Sequence, residues 1–147
     1  MLKAINPLLS PEILYILRAM GHRQDLAIVD ANYPCENNGP RIARLDGIPV
    51  TDVLDAVMSV LPLERKEPQV AWRMIASGRQ DNDLPIFGEF QAIIARREAE
   101  GIDISAIDPA EFKARAQKAY AIIVTGERRL YANIIVRKGV IPAAPSC

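Results

Sequence analysis

A run of four apolar residues, Leu26-Ala27-Ile28-Val29, constrains the fold of this chain more than any other feature. Apolar and polar residues do not alternate in it, so it predicts a short strand buried on both faces, as in parallel α/β sheets. Asp30 follows the run directly, with Asn32 and Tyr33 just beyond. Ligands of parallel α/β sheets bind outside the carboxyl ends of the strands. The sequence therefore predicts an α/β fold with a candidate site at Asp30.

A helix is predicted immediately before this strand. Ser10 is a suitable N-cap, Pro11 suits the first helical position, and apolar residues recur at helical spacing as far as Met20. Gly21 is predicted to be the left-handed residue that closes the helix. His22, the only histidine of the chain, then falls in a constrained loop between helix and strand.

Further elements alternate along the chain as an α/β fold requires. Strands are predicted over 41–45, 69–76 and 102–107. Helices are predicted from a Thr51-Asp52 cap to Leu61, from Pro85 to a stop at Gly101, and from Asp108 as cap to about Lys118, with a polar loop over 77–83. The tail holds two apolar runs, 120–124 and 131–136, separated by Thr125-Gly126-Glu127-Arg128.

These tail runs are most simply a β-hairpin, with a tight parallel return as the alternative. If 131–136 is a strand, Tyr131, Asn133 and Ile135 share one face. Asparagine is disfavoured within strands, so Asn133 beside Tyr131 suggests the polar wall of a ligand site. A structural hydrogen bond between neighbouring strands explains the asparagine equally well.

Composition limits the class of protein. A chain of 147 residues suits one domain spanning 1–147, and 18 basic residues balance 18 acidic ones, which argues against a nucleic-acid or anionic-membrane partner. No apolar run approaches the roughly 20 residues that cross a bilayer, and no signal peptide is recognisable. Cys35 and Cys147 are expected to be free thiols rather than a disulfide. We therefore expect a cytoplasmic protein.

The absence of several common motifs limits the classes of reaction that this protein can catalyse. No glycine-rich phosphate loop follows the first strand, a single histidine cannot form a histidine metal cluster, and no G-x-S-x-G elbow occurs. His22, Asp30 and the Tyr131/Asn133 pair suit proton transfer on a polyhydroxylated substrate such as a cyclic hemiacetal, which needs no cofactor. Two purely structural roles compete: His22 facing the helix dipole, and Asp30 capping its loop.

Several segments resemble the RbsD/FucU family of ribose pyranases and fucose mutarotases. They are Leu9-Ser10-Pro11-Glu12, Gly21-His22, Asp30-Ala31-Asn32-Tyr33-Pro34, Arg115-Ala116-Gln117-Lys118-Ala119-Tyr120, Thr125-Gly126-Glu127-Arg128, Tyr131-Ala132-Asn133-Ile134-Ile135 and Gly139-Val140. The likeness runs the length of the chain but is specific at its two ends, since residues from about 60 to 107 contribute little. The sequence of the tail is closer to that of the fucose branch.

The resemblance implies a three-layer α/β/α sandwich that assembles into ring-shaped decamers, with sites near subunit contacts. It also implies interconversion of the ring forms of a free monosaccharide without a metal. By the same resemblance, His22 is the proton donor and Asp30 binds a sugar hydroxyl. Further substrate-binding residues are Tyr131, Ala132, Asn133, Tyr120 and Lys118.

One position departs from the family pattern. Pro109 stands where a basic substrate-contacting residue is expected, arginine in the fucose branch and histidine in the ribose branch. Either the sugar differs, another residue such as Arg23 compensates, or catalysis is impaired. An L-fucose mutarotase is the favoured interpretation. A ribose pyranase and a non-catalytic monosaccharide-binding protein are the alternatives.

Overall fold

The computed structural model describes residues 1–36, 39–77, 83–98 and 101–145. Its helices are α1 (Pro11–Ala19), α2 (Val50–Met58), α3 (Pro85–Arg97) and α4 (Pro109–Gln117). Its strands are β1 (Asp25–Val29), β2 (Arg41–Leu45), β3 (Ala71–Met74), β4 (Ser105–Ile107), β5 (Ala121–Thr125) and β6 (Ile134–Arg137). Among these helices, none is long and apolar enough to span a membrane.

The six strands form one sheet in the order β2-β5-β1-β6-β3-β4. Strand β1 is parallel to β5 and antiparallel to β6, and β6 is antiparallel to β3. Among the described strands, β6 alone therefore runs against the others. We call the edge where β1 ends and β6 begins the carboxyl edge, and the opposite edge the amino edge.

Helices cover both faces of the sheet, which confirms the three-layer α/β/α architecture. Apolar residues of α1, α2 and α3 pack on one face, whereas Phe112 and Ala116 of α4 pack on the other. Along β1, Leu26 and Ile28 point to the first layer and Ala27 to the second. All three are fully buried, as an apolar run without alternation predicts.

Several predicted helix starts are confirmed by their caps. The Ser10 hydroxyl accepts a hydrogen bond from the amide of Ile13 (3.2 Å), and Asp108 accepts one from the amide of Ala110 (2.7 Å). Proline occupies the start of α1, α3 and α4. These short local motifs therefore fix where three of the helices begin.

Other predicted boundaries are wrong. Gly21 does not adopt a left-handed conformation; α1 ends at Ala19, and the left-handed residue is Arg23 (φ 66°). Thr51 does not cap helix α2, because the helix begins at Val50, with Pro49 in the N-cap position and no side-chain cap. The helix ends at Met58 rather than Leu61. Strands β3 and β4 are shorter than 69–76 and 102–107, and α3 ends at Arg97, before Gly101.

The predicted β-hairpin of the tail is also wrong. Strands β5 and β6 both pair with β1, on its opposite sides, so β1 lies between them. Because β6 begins at Ile134, Tyr131 and Asn133 lie in the loop before the strand rather than on one of its faces. The two apolar runs correctly predict two strands. They do not show that β1 lies between these strands and pairs with both.

Cys35 is a buried free thiol. Its possible partner, Cys147, lies outside the described residues, as does most of the predicted polar loop at 77–83.

Candidate active site

Asp30 occupies the carboxyl edge, as predicted, and is held there by Asn133. The Asn133 side chain donates a hydrogen bond to Asp30 Oδ2 (2.8 Å) and accepts one from the Asp30 amide (2.8 Å). Asp30 Oδ1 accepts a further hydrogen bond from the amide of Asn32 (2.9 Å). Both Asp30 and Asn133 are buried. The Asn133 amide group therefore positions the carboxylate.

Burial disfavours the charged form of Asp30. Desolvation raises the pKa of this carboxyl above 3.8, and the nearby Glu127 charge adds to the rise, while the bonds from Asn133 and Asn32 oppose it. Raised carboxyl pKa values are common where a group exchanges a proton or a hydrogen bond with a ligand.

The segment Thr125-Gly126-Glu127 supports the Asp30 loop from the next strand. The Thr125 hydroxyl donates to the carbonyl of Val29 (2.8 Å), and the Glu127 carbonyl accepts from the amide of Ala31 (2.9 Å). A Cβ at Gly126 would overlap the backbone of Gly47, so this approach requires glycine. The tail motif thus serves to fix the loop that carries Asp30.

Glu127, the last residue of this segment, is buried and is paired with Arg129. Its carboxylate accepts hydrogen bonds from the amides of Arg128 and Arg129 (both 3.0 Å) and from the Arg129 guanidinium (3.0 Å). The side-chain bond from Arg129 is the largest cause that lowers the pKa of Glu127 from 4.5 to about 2.

Replacing Glu127 by glutamine is expected to lower the free energy of unfolding in a pH-dependent manner. A carboxyl whose pKa is depressed on folding stabilises the protein above its unfolded value, 4.5, and loses that contribution as the pH falls toward about 2. We expect Glu127→Gln to cost about 1–3 kcal/mol near neutral pH and much less in strong acid. Urea titrations of both proteins across this range measure the difference, and a constant difference would contradict the assignment.

Tyr131 borders a cleft at the same edge. It has a left-handed backbone (φ 61°), and its hydroxyl donates to the carbonyl of Ser77 (3.4 Å). The cleft has a volume of about 570 Å³, and Leu84 and Leu130 are among its apolar lining residues. Ala132 is fully buried and belongs to the apolar core beside the first layer of helices.

His22 lies at the opposite, amino edge. Its Nε2 contacts Oε2 of Glu64, a buried residue whose amide donates to the carbonyl of Arg137 at the end of β6 (3.0 Å). Lys118 and Tyr120 lie at the same edge, where they line a cleft of about 620 Å³ with Arg115 and other residues.

The predicted site residues thus form two groups within one chain. His22, Lys118 and Tyr120 lie at the amino edge, whereas Asp30 and the 131–133 segment lie at the carboxyl edge. The five residues of β1, at about 3.3 Å each, put roughly 16 Å between the two edges. A single copy of the chain does not bring the imidazole of His22 to the carboxylate of Asp30.

Pro109 and Arg23 are also separated by the sheet. Pro109 begins α4, directly after β4 ends, and so belongs to the carboxyl edge. Arg23 lies at the amino edge, where its Nε is 3.1 Å from Glu67 and 3.4 Å from Glu64. Within one chain, Arg23 therefore cannot supply the donor that Pro109 lacks.

Sequence reasoning missed Glu64. The 63–68 segment has a charged composition typical of an exposed loop, and no local pattern indicates that one of its carboxylates is buried against His22. No group of three or more potential metal ligands occurs among the described residues.

Comparison with known proteins identifies the class. Residues 3–141 match the RbsD/FucU transport protein family, and the chain belongs to that family. The fucose mutarotase of Streptococcus pneumoniae, solved in complex with L-fucose, is 36% identical over 96% of this chain and 100% of its own, with a TM-score of 0.86.

Two further structures are similar along their whole length. FucU from Bifidobacterium longum is 32% identical over 95% of this chain and 99% of its own, with a TM-score of 0.88. Atu2016, described as a candidate sugar-binding protein, is 35% identical over 97% of both chains, with a TM-score of 0.87. The expected fold and family are therefore confirmed.

Proposed function

We propose that this protein is a cofactor-independent isomerase that interconverts the ring forms of a free monosaccharide, most like an L-fucose mutarotase. The observation that carries the proposal is the buried Asp30–Asn133 pair at the carboxyl edge of a chain 36% identical to a fucose mutarotase. A carboxylate held in place by an amide is suited to bind a sugar hydroxyl, because it has more acceptor positions than the amide uses.

The reaction requires only proton movements. Ring opening breaks the bond between the anomeric carbon and the ring oxygen; the ring oxygen gains a proton, and the anomeric hydroxyl loses one to become a carbonyl. His22 accepts the proton that the anomeric hydroxyl loses and donates a proton to the ring oxygen, since imidazole both gives and accepts protons near neutral pH. Ring closure on the other face of the carbonyl reverses these steps and yields the other anomer.

The site is proposed to form between subunits. Because His22 and Asp30 lie at opposite edges of one chain, the amino edge of one copy must meet the carboxyl edge of another for both to touch one sugar. A head-to-tail contact of this kind, repeated from copy to copy, closes into a ring where the rotation between neighbours allows it. We therefore propose a cytoplasmic homo-oligomer, a decamer by family resemblance, and sedimentation that finds a monomer at micromolar concentration would contradict it.

Saturation-transfer NMR tests the activity directly. Irradiation of one anomeric proton of L-fucose should reduce the signal of the other when the protein is present, with a smaller effect on D-ribose. A larger effect on D-ribose would favour a ribose pyranase instead. Sugar-dependent chemical shifts without faster exchange would favour a binding protein, the alternative supported by the absence of a basic side chain at Pro109.

Replacing Pro109 by arginine is expected to strengthen L-fucose binding. A charge-assisted donor to a sugar hydroxyl contributes roughly 1.5–3 kcal/mol, which corresponds to about a ten- to hundredfold change in affinity. The helix should tolerate the change, because Asp108 still caps α4. Titration of L-fucose into Pro109→Arg measures the gain, with Pro109→Ala as the control for loss of the proline ring. Equal affinities of all three proteins would show that another group has taken this role.

A further inference from the structure

We propose that Glu64 is a positioning residue for His22, fixing which ring nitrogen meets the sugar. The inference rests on the proposed function, because it assigns a partner to the proton donor of that reaction. It is carried by geometry: a buried carboxylate presents one oxygen to the imidazole, and the surrounding backbone holds both groups.

Glu64 is held independently of His22. Its Oε1 accepts hydrogen bonds from the amides of Arg65 and Lys66 (both 2.8 Å), and its own amide donates to Arg137. Its side chain is only 3% exposed. Because Oε1 is used by two backbone donors, the carboxylate cannot rotate freely, and Oε2 stays directed at the imidazole.

The loop that carries His22 is equally constrained. The amide of Arg23 donates to the carbonyl of Lys138 (2.8 Å), and the amide of Gly21 donates to Oε1 of Gln24 (2.6 Å). The Lys138 ammonium donates to the carbonyls of Leu17 and Met20 at the end of α1 (2.7 and 2.6 Å). Lys138, rather than His22, thus satisfies the carboxyl end of that helix, which leaves the histidine free for another role.

The contact determines the tautomer of His22. An ionised carboxylate accepts hydrogen bonds but cannot donate them, so Nε2 must carry the proton that it shares with Glu64. Nδ1 is then the nitrogen that exchanges a proton with the sugar. The His22 side chain is 42% exposed, so it is accessible to a neighbouring subunit or a ligand.

Glu64 also stabilises the charged imidazolium that must form in each cycle. Among the described residues, Arg23 is the other charged side chain in contact with Glu64, with its Nε 3.4 Å from Oε2. The Arg23 charge is also paired with Glu67, whose Oε1 lies 3.1 Å from the same Nε. The arrangement matches the general way in which a buried carboxylate orients a catalytic histidine.

Glu64→Gln separates this role from a merely structural one. The two backbone amides at Oε1 require an oxygen there, so the glutamine must turn its NH₂ group toward His22. That group donates to Nε2, and the imidazole proton must move to Nδ1, which then can no longer accept from the sugar. We expect anomer exchange to fall by about 10- to 100-fold, with little change in KM and with the pH profile displaced.

The matched control is Glu67→Gln, which removes an equal charge three residues away without touching the imidazole. Nitrogen-15 NMR reads the tautomer directly, because the chain has one histidine. We expect the Nε2–H form in the wild type and Glu67→Gln, and the Nδ1–H form in Glu64→Gln. Glu64→Asp, which keeps the carboxylate, should restore part of the rate.

The outcomes are distinguishable. If the wild type fails to accelerate anomer exchange, the proposed function falls, while the NMR spectra still test the contact. If the wild type is active and Glu64→Gln retains its rate and tautomer, the positioning role is overturned. Should Glu64→Gln not fold, the wild type alone decides the question, because a proton on Nδ1 of neutral His22 would refute the assignment.

Discussion

His22→Ala is expected to lose nearly all acceleration of anomer exchange while the protein keeps its fold and oligomeric size. General acid–base groups contribute about 10²- to 10⁴-fold, and this chain has no second histidine to replace the lost one. The side chain is 42% exposed and lies in a loop held by backbone bonds, and Glu64 keeps its two backbone donors and Arg23 when the imidazole is removed, so the fold should tolerate the change. Saturation transfer between the anomers of L-fucose measures the loss.

Arg18→Ala provides the control for this variant. Arg18 is an exposed residue in the last turn of α1, close to His22 in sequence but outside its contacts. The Arg18→Ala protein should exchange anomers at the wild-type rate. An unchanged rate in His22→Ala would show that His22 is only a structural residue of the loop and would remove the proton-transfer mechanism.

The sequence was sufficient to predict much of the sheet. The run at Leu26–Val29 identified a central buried strand, and its carboxyl end located Asp30 at the edge where ligands bind. Helix starts were predictable at Ser10 and Asp108, because a capping side chain and a proline at the first helical position act locally.

Long-range pairing was not predictable in the same way. Strands β5 and β6 are separated by one loop, yet β1 lies between them, and no local pattern encodes that insertion. For the same reason, the sequence pattern predicts Asn133 on a strand face, whereas it lies in a loop and binds Asp30, 103 residues away in the sequence. Only the tertiary pairing reveals that Asn133 positions the carboxylate.

The separation of the site residues between the two edges of the sheet was not predictable from the sequence either. Family resemblance grouped His22 with Asp30, but a strand of five residues separates them. Their proximity in the sequence, eight positions apart, gives no indication of this separation. Glu64 was missed for a related reason: the backbone that packs directly against Leu63 and the Glu64 amide belongs to Gly139, which is distant in the sequence.

A subunit-mixing experiment tests the central claim, that one site uses His22 of one copy and Asp30 of another. His22→Ala chains and Asp30→Asn chains carry different affinity tags, are expressed together, and are purified over both tags so that only mixed oligomers remain. Each parent alone is expected to be nearly inactive at L-fucose concentrations well below KM, since one lacks the proton donor and the other binds sugar weakly.

In mixed oligomers, some sites combine an intact His22 from one chain with an intact Asp30 from the other. When the two chains are incorporated equally and at random, His22 is intact in about half of the sites, and Asp30 is independently intact in about half. About one quarter of the sites should therefore have both residues. The proposal predicts anomer exchange at about that fraction of the wild-type rate, far above the sum of the parents. Exchange no faster than the sum of the two parents would contradict a site shared between subunits.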